Sequence, residues 1–162
     1  MSALLRLFFD ITCLRTGPQD IPDSGLLLAL ALVADLILSA LVGLTGGEVI
    51  DAFLQSLVAT VLLLAFLAVV LFSTSHWQRF KRTVTAALGC DALMTLVALP
   101  VTLLGEMVPG TGLLVLVVVF WNLVVFAHIL RHALGIGYAL AGALAFIYMV
   151  ASMDLMAQIF GV

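Results

Sequence analysis

The sequence predicts an all-α integral membrane protein, a bundle of five transmembrane helices preceded by a short amphipathic interfacial helix. Of its 162 residues, 65% are hydrophobic and only 9% are charged, and its mean hydropathy is +1.34. Soluble domains carry about 25% charged residues, so this composition cannot cover a surface that faces water. Lipid is the medium that fits, and in lipid an open chain satisfies its backbone hydrogen bonds only as helices.

The first element lies in residues 1–24, a cytoplasmic helix followed by a turn with two prolines. Ser2, Arg6 and Asp10 recur every four residues and give a thin polar stripe on an otherwise apolar helix. Charges inside the run argue against a signal peptide. Two placements remain open: a helix in the membrane interface with Phe8 dipped into lipid, or a helix packed against the bundle.

The second unit, residues 25–162, is the predicted transmembrane domain. It contains five apolar stretches, at about 26–44, 49–72, 84–104, 112–130 and 137–160. Each has close to the ~20 residues that cross a ~30 Å hydrocarbon core. Asp23 or Ser24 is placed to cap the first of these helices.

The basic residues predict the orientation. All six precede the first span or lie between spans two and three or four and five: Arg6, Arg15, Arg79, Lys81, Arg82 and Arg131. Positive residues stay on the cytoplasmic side. We therefore expect a cytoplasmic N-terminus and an outward C-terminus, in the cell membrane.

Polar side chains inside the spans are the candidate site residues, because a central Asp costs about 2.5–3.5 kcal/mol in lipid. They are Asp35, Asp91, Asn122, His128 and Asp154. At 1.5 Å of rise per residue, the first three fall within one turn of each other in depth.

Two interpretations of these polar residues remain open. They can bond neighbouring helices together, or they can form a ladder that carries protons or cations, with His128 nearer the cytoplasm and Asp154 nearer the outside. Two interleaved stripes of small residues in the last span also predict close helix packing; they are Gly135, Ala139 and Ala143, and Gly137, Ala141 and Ala145.

No catalytic signature and no metal-ligand spacing is found in the sequence, so we expect no enzyme, no metal and no cofactor. Gly89-Cys90-Asp91 shares only part of the motif of intramembrane aspartyl proteases. A net charge of −3 argues against nucleic acid as a partner. The two cysteines, Cys13 and Cys90, are too far apart in the predicted plan for a disulfide.

A basic cluster follows Trp77 at the predicted inner interface, and it consists of Arg79, Lys81 and Arg82. Cations beside an aromatic residue at headgroup level anchor the end of a helix. The alternative is that they recognise anionic lipid or a cytoplasmic partner.

The chain resembles the Yip-domain family of small multi-span membrane proteins in its helix plan, which is a cytoplasmic N-terminus, five spans and an outward C-terminus. The likeness also covers the last two spans, from Trp121 to Leu130 and from Gly135 to Tyr148. It lacks the Asp-Leu-Tyr-Gly-Pro type motif and the long cytoplasmic domain of the eukaryotic members. The chain is more similar to small bacterial inner-membrane proteins, which implies the inner membrane of a bacterium as its location. The resemblance implies a non-catalytic protein that organises or binds partner membrane proteins in the bilayer. The alternative function is a small transporter or a proton- or cation-conducting subunit that uses the intramembrane carboxylates.

Overall fold

The computed structural model describes residues 2–44, 48–104 and 111–161. These residues form an all-α bundle, with helices α1 (Ser2–Thr12), α2 (Gly25–Gly43), α3 (Val49–Ser73), α4 (Phe80–Leu104), α5 (Thr111–Leu134) and α6 (Tyr138–Phe160). Two single 3₁₀ turns, Pro18–Asp20 and Trp77–Arg79, precede α2 and α4. Each of α2 to α6 is long and apolar enough to cross a membrane, so the chain is a multi-pass membrane protein.

Helix ends follow local chemistry. The Ser24 hydroxyl accepts a hydrogen bond from the Leu27 backbone N–H at 3.4 Å, which confirms one of the two predicted caps of α2. The helices α4 and α5 are longer than hydropathy predicted. Lys81 and Arg82 lie in the first turn of α4, and Arg131 lies in the last turn of α5. Basic residues are good helix formers, so the helix continues beyond the apolar stretch.

The five long helices form a ring in the order α2, α3, α6, α5, α4, with α2 also packed closely on α4. The core at the centre of the ring is apolar, and Leu67, Leu88 and Leu130 are fully buried there. Ala141 and Ala145 of α6 are also fully buried, which confirms close packing for one of the two small-residue stripes. The outer surface is covered by exposed Leu, Val, Ile and Phe side chains, as expected of a surface that faces lipid.

Helix α1 packs outside the ring, on α4 and α5. Phe8 and Ile11 are buried against these helices, while Phe9 remains 57% exposed. A Cβ atom at Gly89 would overlap the Phe8 ring, so glycine is needed for this approach. The contacts thus show packing on the bundle for one face of α1, and the expectation that Phe8 dips into lipid is wrong.

Candidate functional site

Four polar side chains meet between α2, α3, α4 and α5, and we call them the carboxyl cluster: Asp35, Thr60, Asp91 and Asn122. The Thr60 hydroxyl lies 3.3 Å from Asp35 Oδ2 and 2.9 Å from the Ser56 carbonyl of its own helix, and it shares its one proton between these two acceptors. The Asn122 amide donates to Asp91 Oδ1 at 2.6 Å. Asp35 is only 3% exposed. Each bond within the cluster joins two different helices, so the cluster ties four helices together at one level.

The two carboxyl groups also lie close to each other. Asp35 and Asp91 lie on neighbouring helices that start at the same end of the bundle, each roughly 15 Å of helical rise from that end. Their side chains are close enough to interact electrostatically. Asp35 Oδ1 is buried and has no donor among the described residues. Two carboxylates close together away from water would repel each other strongly, and the contacts with Thr60 and Asn122 offset part of that cost.

A cavity of about 170 Å³ adjoins the cluster. Its polar lining is Asp91, Asn122, Tyr148 and Ser152, and apolar residues of α3 to α6 complete the wall. Tyr148 is fixed by ring contacts with Phe66 and Phe126, at centroid distances of 4.9 and 5.1 Å. The cavity is large enough for several water molecules.

The predicted ladder does not form, because His128 faces away from the cluster. Its Nε2 lies 3.0 Å from the Thr16 carbonyl oxygen, in the segment that follows α1. His128 is six residues after Asn122, which turns the side chain by about 240° around the helix. It is buried, and its ring contacts that of His132 at 4.5 Å.

Asp154 is likewise separate from the cluster. It is exposed on α6, and its Oδ2 accepts a hydrogen bond from the Gln158 amide of the same helix at 2.8 Å. It therefore faces the outer surface of the bundle at the level of the lipid. Of the five predicted polar residues, the structure brings Asp35, Asp91 and Asn122 together and leaves His128 and Asp154 elsewhere.

A second contact of the N-terminal segment was not predicted. The Trp121 indole N–H donates to the Thr12 carbonyl at 3.2 Å, and together with His128 it holds residues 12–16 against α5. The spacing of seven residues between Trp121 and His128 puts both side chains on one face of α5. That spacing was the signal in the sequence that could have identified this contact.

Within the basic cluster, Arg79 binds the end of α5, while Lys81 and Arg82 make no such contact among the described hydrogen bonds. Arg79 Nη1 donates to the Ala133 carbonyl at 2.9 Å and to the His132 carbonyl at 3.5 Å, so it satisfies two acceptors at the C-terminus of α5. Lys81 and Arg82 are exposed on the first turn of α4.

Cys13 and Cys90 are free, as the sequence predicted. Within residues 2–44, 48–104 and 111–161, no cluster of three or more His, Cys, Asp or Glu residues could hold a metal ion.

Comparisons with protein-family models, curated proteins and solved structures give no match for this chain.

Proposed function

We propose that this protein is a non-catalytic membrane component that binds a partner membrane protein through the outer face of α6. One exposed stripe on α6 carries the proposal, and we call it the outward stripe. It consists of Ala139, Ala143, Phe146, Val150, Asp154 and Ala157. These residues recur at intervals of three and four, so they share one face of the helix.

Two properties of the outward stripe favour a helix as its ligand. Ala139 and Ala143 let another backbone approach closely, as small residues spaced by four do in membrane helix pairs. Asp154 leaves a carboxyl group at the level of the lipid, with only Gln158 of its own helix as a hydrogen-bonded neighbour among the described contacts. A polar group there is costly, and a partner that donates to it would remove that cost.

The expected partner is a different protein rather than a second copy. A symmetric contact between two α6 helices would place one Asp154 beside the other, and like charges repel. The basic residues of this chain also lie away from Asp154, on α1 and the segment after it and at the ends of α4 and α5 near the Trp77–Arg79 turn. We infer a partner helix with a Lys, Arg or amide side chain at the depth of Asp154.

The distribution of basic residues also supports a proposed orientation in the membrane. We propose that the protein's basic residues face the cytoplasm, with the N-terminus inside and the C-terminus outside, and its likeness to small bacterial inner-membrane proteins favours the inner membrane of a bacterium. A role as an organiser of membrane proteins also agrees with the resemblance to the Yip-domain family.

Site-specific photocrosslinking in native membranes tests the proposal. A photoreactive amino acid replaces Ala143 on the stripe or, as a control, Ala65, an exposed alanine on α3. We expect one heterologous protein adduct from position 143 and none from position 65. The adduct should be lost in Asp154→Leu, and the captured partner should carry a donor side chain in a membrane helix. Adducts to lipid alone, or to a second copy of this chain, would refute it.

One observation favours the alternative, a small transporter or a proton- or cation-conducting subunit. The 170 Å³ cavity lies directly beside Asp91. Proton flux into liposomes that contain the wild type, Asp35→Asn or Asp91→Asn tests this alternative. Wild-type flux that the substitutions abolish would support it, and equal flux in all three would rule it out.

A further inference from the structure

A polar cavity of about 470 Å³ lies at the end of the bundle where α4 begins and α5 ends. We call it the basic pocket, and its lining consists of Pro18, Gln19, Arg79, Arg82, Thr83, His132 and Ala133. Its volume is within the range of sites that bind small molecules. It has no part in the carboxyl cluster or in the outward stripe of α6.

Basic side chains dominate the lining of the basic pocket, with the α5 carbonyls bonded to Arg79 and Asp20 near His132 as partial counterparts. Arg79 and Arg82 are three residues apart and line it together, and His132 adds an imidazole ring. No carboxylate is present among the described lining residues. The neighbouring Asp20 is outside the lining, and one of its oxygens accepts a bond from the Gly17 backbone N–H at 3.2 Å.

The site is also held rigidly. The described bonds of Arg79 to the α5 carbonyls involve only Nη1, and they fix the direction of the guanidinium. Thr83, one turn further along the same segment, is fully buried and donates to the Arg79 carbonyl at 2.9 Å. A guanidinium held in this way can offer its other N–H groups to an oxyanion without a further loss of side-chain freedom.

Aromatic side chains place this pocket at the membrane surface. Trp77 stacks on Phe80 with ring centroids 4.6 Å apart, and its ring is 53% exposed. Exposed tryptophan at the end of a membrane helix is typical of the headgroup region. The anion that reaches a pocket at this level most readily is the phosphate of a phospholipid.

From these observations we infer that the basic pocket binds a phosphate-bearing anion, the headgroup of an anionic phospholipid. The phosphate oxygens would accept hydrogen bonds from Arg82 and Arg79, while Gln19 would face the polar remainder of the headgroup. This inference does not depend on the proposed partner at α6.

Native mass spectrometry of the delipidated protein in detergent tests the inference, with titrations of phosphatidylglycerol and phosphatidylcholine. We expect preferential retention of phosphatidylglycerol, and a loss of about tenfold in its apparent affinity in Arg82→Gln. Lys81→Gln is the matched control, because it removes the same charge from the neighbouring exposed residue outside the pocket. The affinity of Lys81→Gln for phosphatidylglycerol should change less than about twofold. Circular dichroism and gel filtration confirm that both variants are folded.

Four outcomes decide between the alternatives. Equal losses in the two variants would indicate only general attraction by surface charge and would overturn the inference, as would equal binding of the two lipids. Inorganic phosphate added at millimolar concentration separates the two sources of a phosphate group. If it displaces the lipid from the wild type and not from Lys81→Gln, the pocket is not the site of competition and the inference fails. If it displaces the lipid from both, the pocket recognises phosphate itself.

Discussion

The hydrogen bond between Asp91 and Asn122 should couple α4 to α5 measurably. At 2.6 Å it is shorter than the usual N–H···O distance of about 2.9 Å. Bonds to charged groups contribute about 1.5–3 kcal/mol in soluble proteins, whereas polar pairs in membrane helices average about 0.6 and reach about 1.7 kcal/mol. Because this bond is short and lies beside a second carboxyl group, we expect a coupling free energy near the upper membrane value, about 1.5 kcal/mol.

A double-mutant cycle measures this coupling. Asn122→Leu leaves the Asp91 carboxyl without its donor and should cost about 2 kcal/mol of unfolding free energy, while Asp91→Leu should cost about 1 kcal/mol. The double variant removes both polar groups and should cost about 1.5 kcal/mol, less than the sum of the two. Reversible unfolding in bicelles by steric trapping provides the free energies.

The matched control for this cycle is the exposed pair of Asp154 and Gln158, which are bonded at 2.8 Å within one helix. Pairs of this kind contribute about 0.2–0.5 kcal/mol. The reasoning fails if the coupling between Asp91 and Asn122 is no larger than that of this control. It also fails if the double variant is less stable than the sum of the two single losses predicts.

Three further predictions concern the packing of the N-terminal segment and the end of α5. Gly89→Val should destabilise the bundle by about 1–3 kcal/mol in thermal unfolding, because the valine side chain would displace the Phe8 ring. Adding Phe8→Ala should restore part of this loss, and an unchanged melting temperature in Gly89→Val would contradict the packing of Phe8 on α4. Trp121→Phe removes the hydrogen bond to the Thr12 carbonyl, worth about 1 kcal/mol, so the neighbouring Cys13 should react with a thiol reagent roughly fivefold faster. An unchanged labelling rate would show that the indole bond does not hold residues 12–16 against α5. Arg79→Gln should speed amide exchange in the last turn of α5 by about tenfold, and equal exchange would show that the two carbonyls are satisfied without it.

Depth along a helix could be predicted from the sequence, because it depends only on residue count. Asp35 and Asp91 were expected at one level with Asn122, and the structure brings all three together. The spans were also predicted to within about four residues. The larger errors occurred at the start of α4 and the end of α5, where basic residues continue a helix that hydropathy alone would end.

Direction around a helix was harder to predict, since it depends on which neighbours surround each helix. In the ladder interpretation His128 was expected a turn nearer the cytoplasm than the carboxyl cluster, on depth alone, although its spacing from Asn122 turns it about 120° away around α5. The burial of Phe8 depends on a glycine in α4, a partner far away in the sequence. Neither the hydrophobic stripe of α1 nor the apolar run of α4 specifies that contact.

The most direct test of the five-span architecture is the accessibility of single cysteines at the two ends of the bundle. In a background without Cys13 and Cys90, Gln78→Cys lies in the turn between α3 and α4, and Glu48→Cys lies at the start of α3. Both positions are exposed. In intact cells, a membrane-impermeant thiol reagent should label position 48 and reach position 78 only after the membrane is opened. Labelling of both positions from the same side would contradict the account.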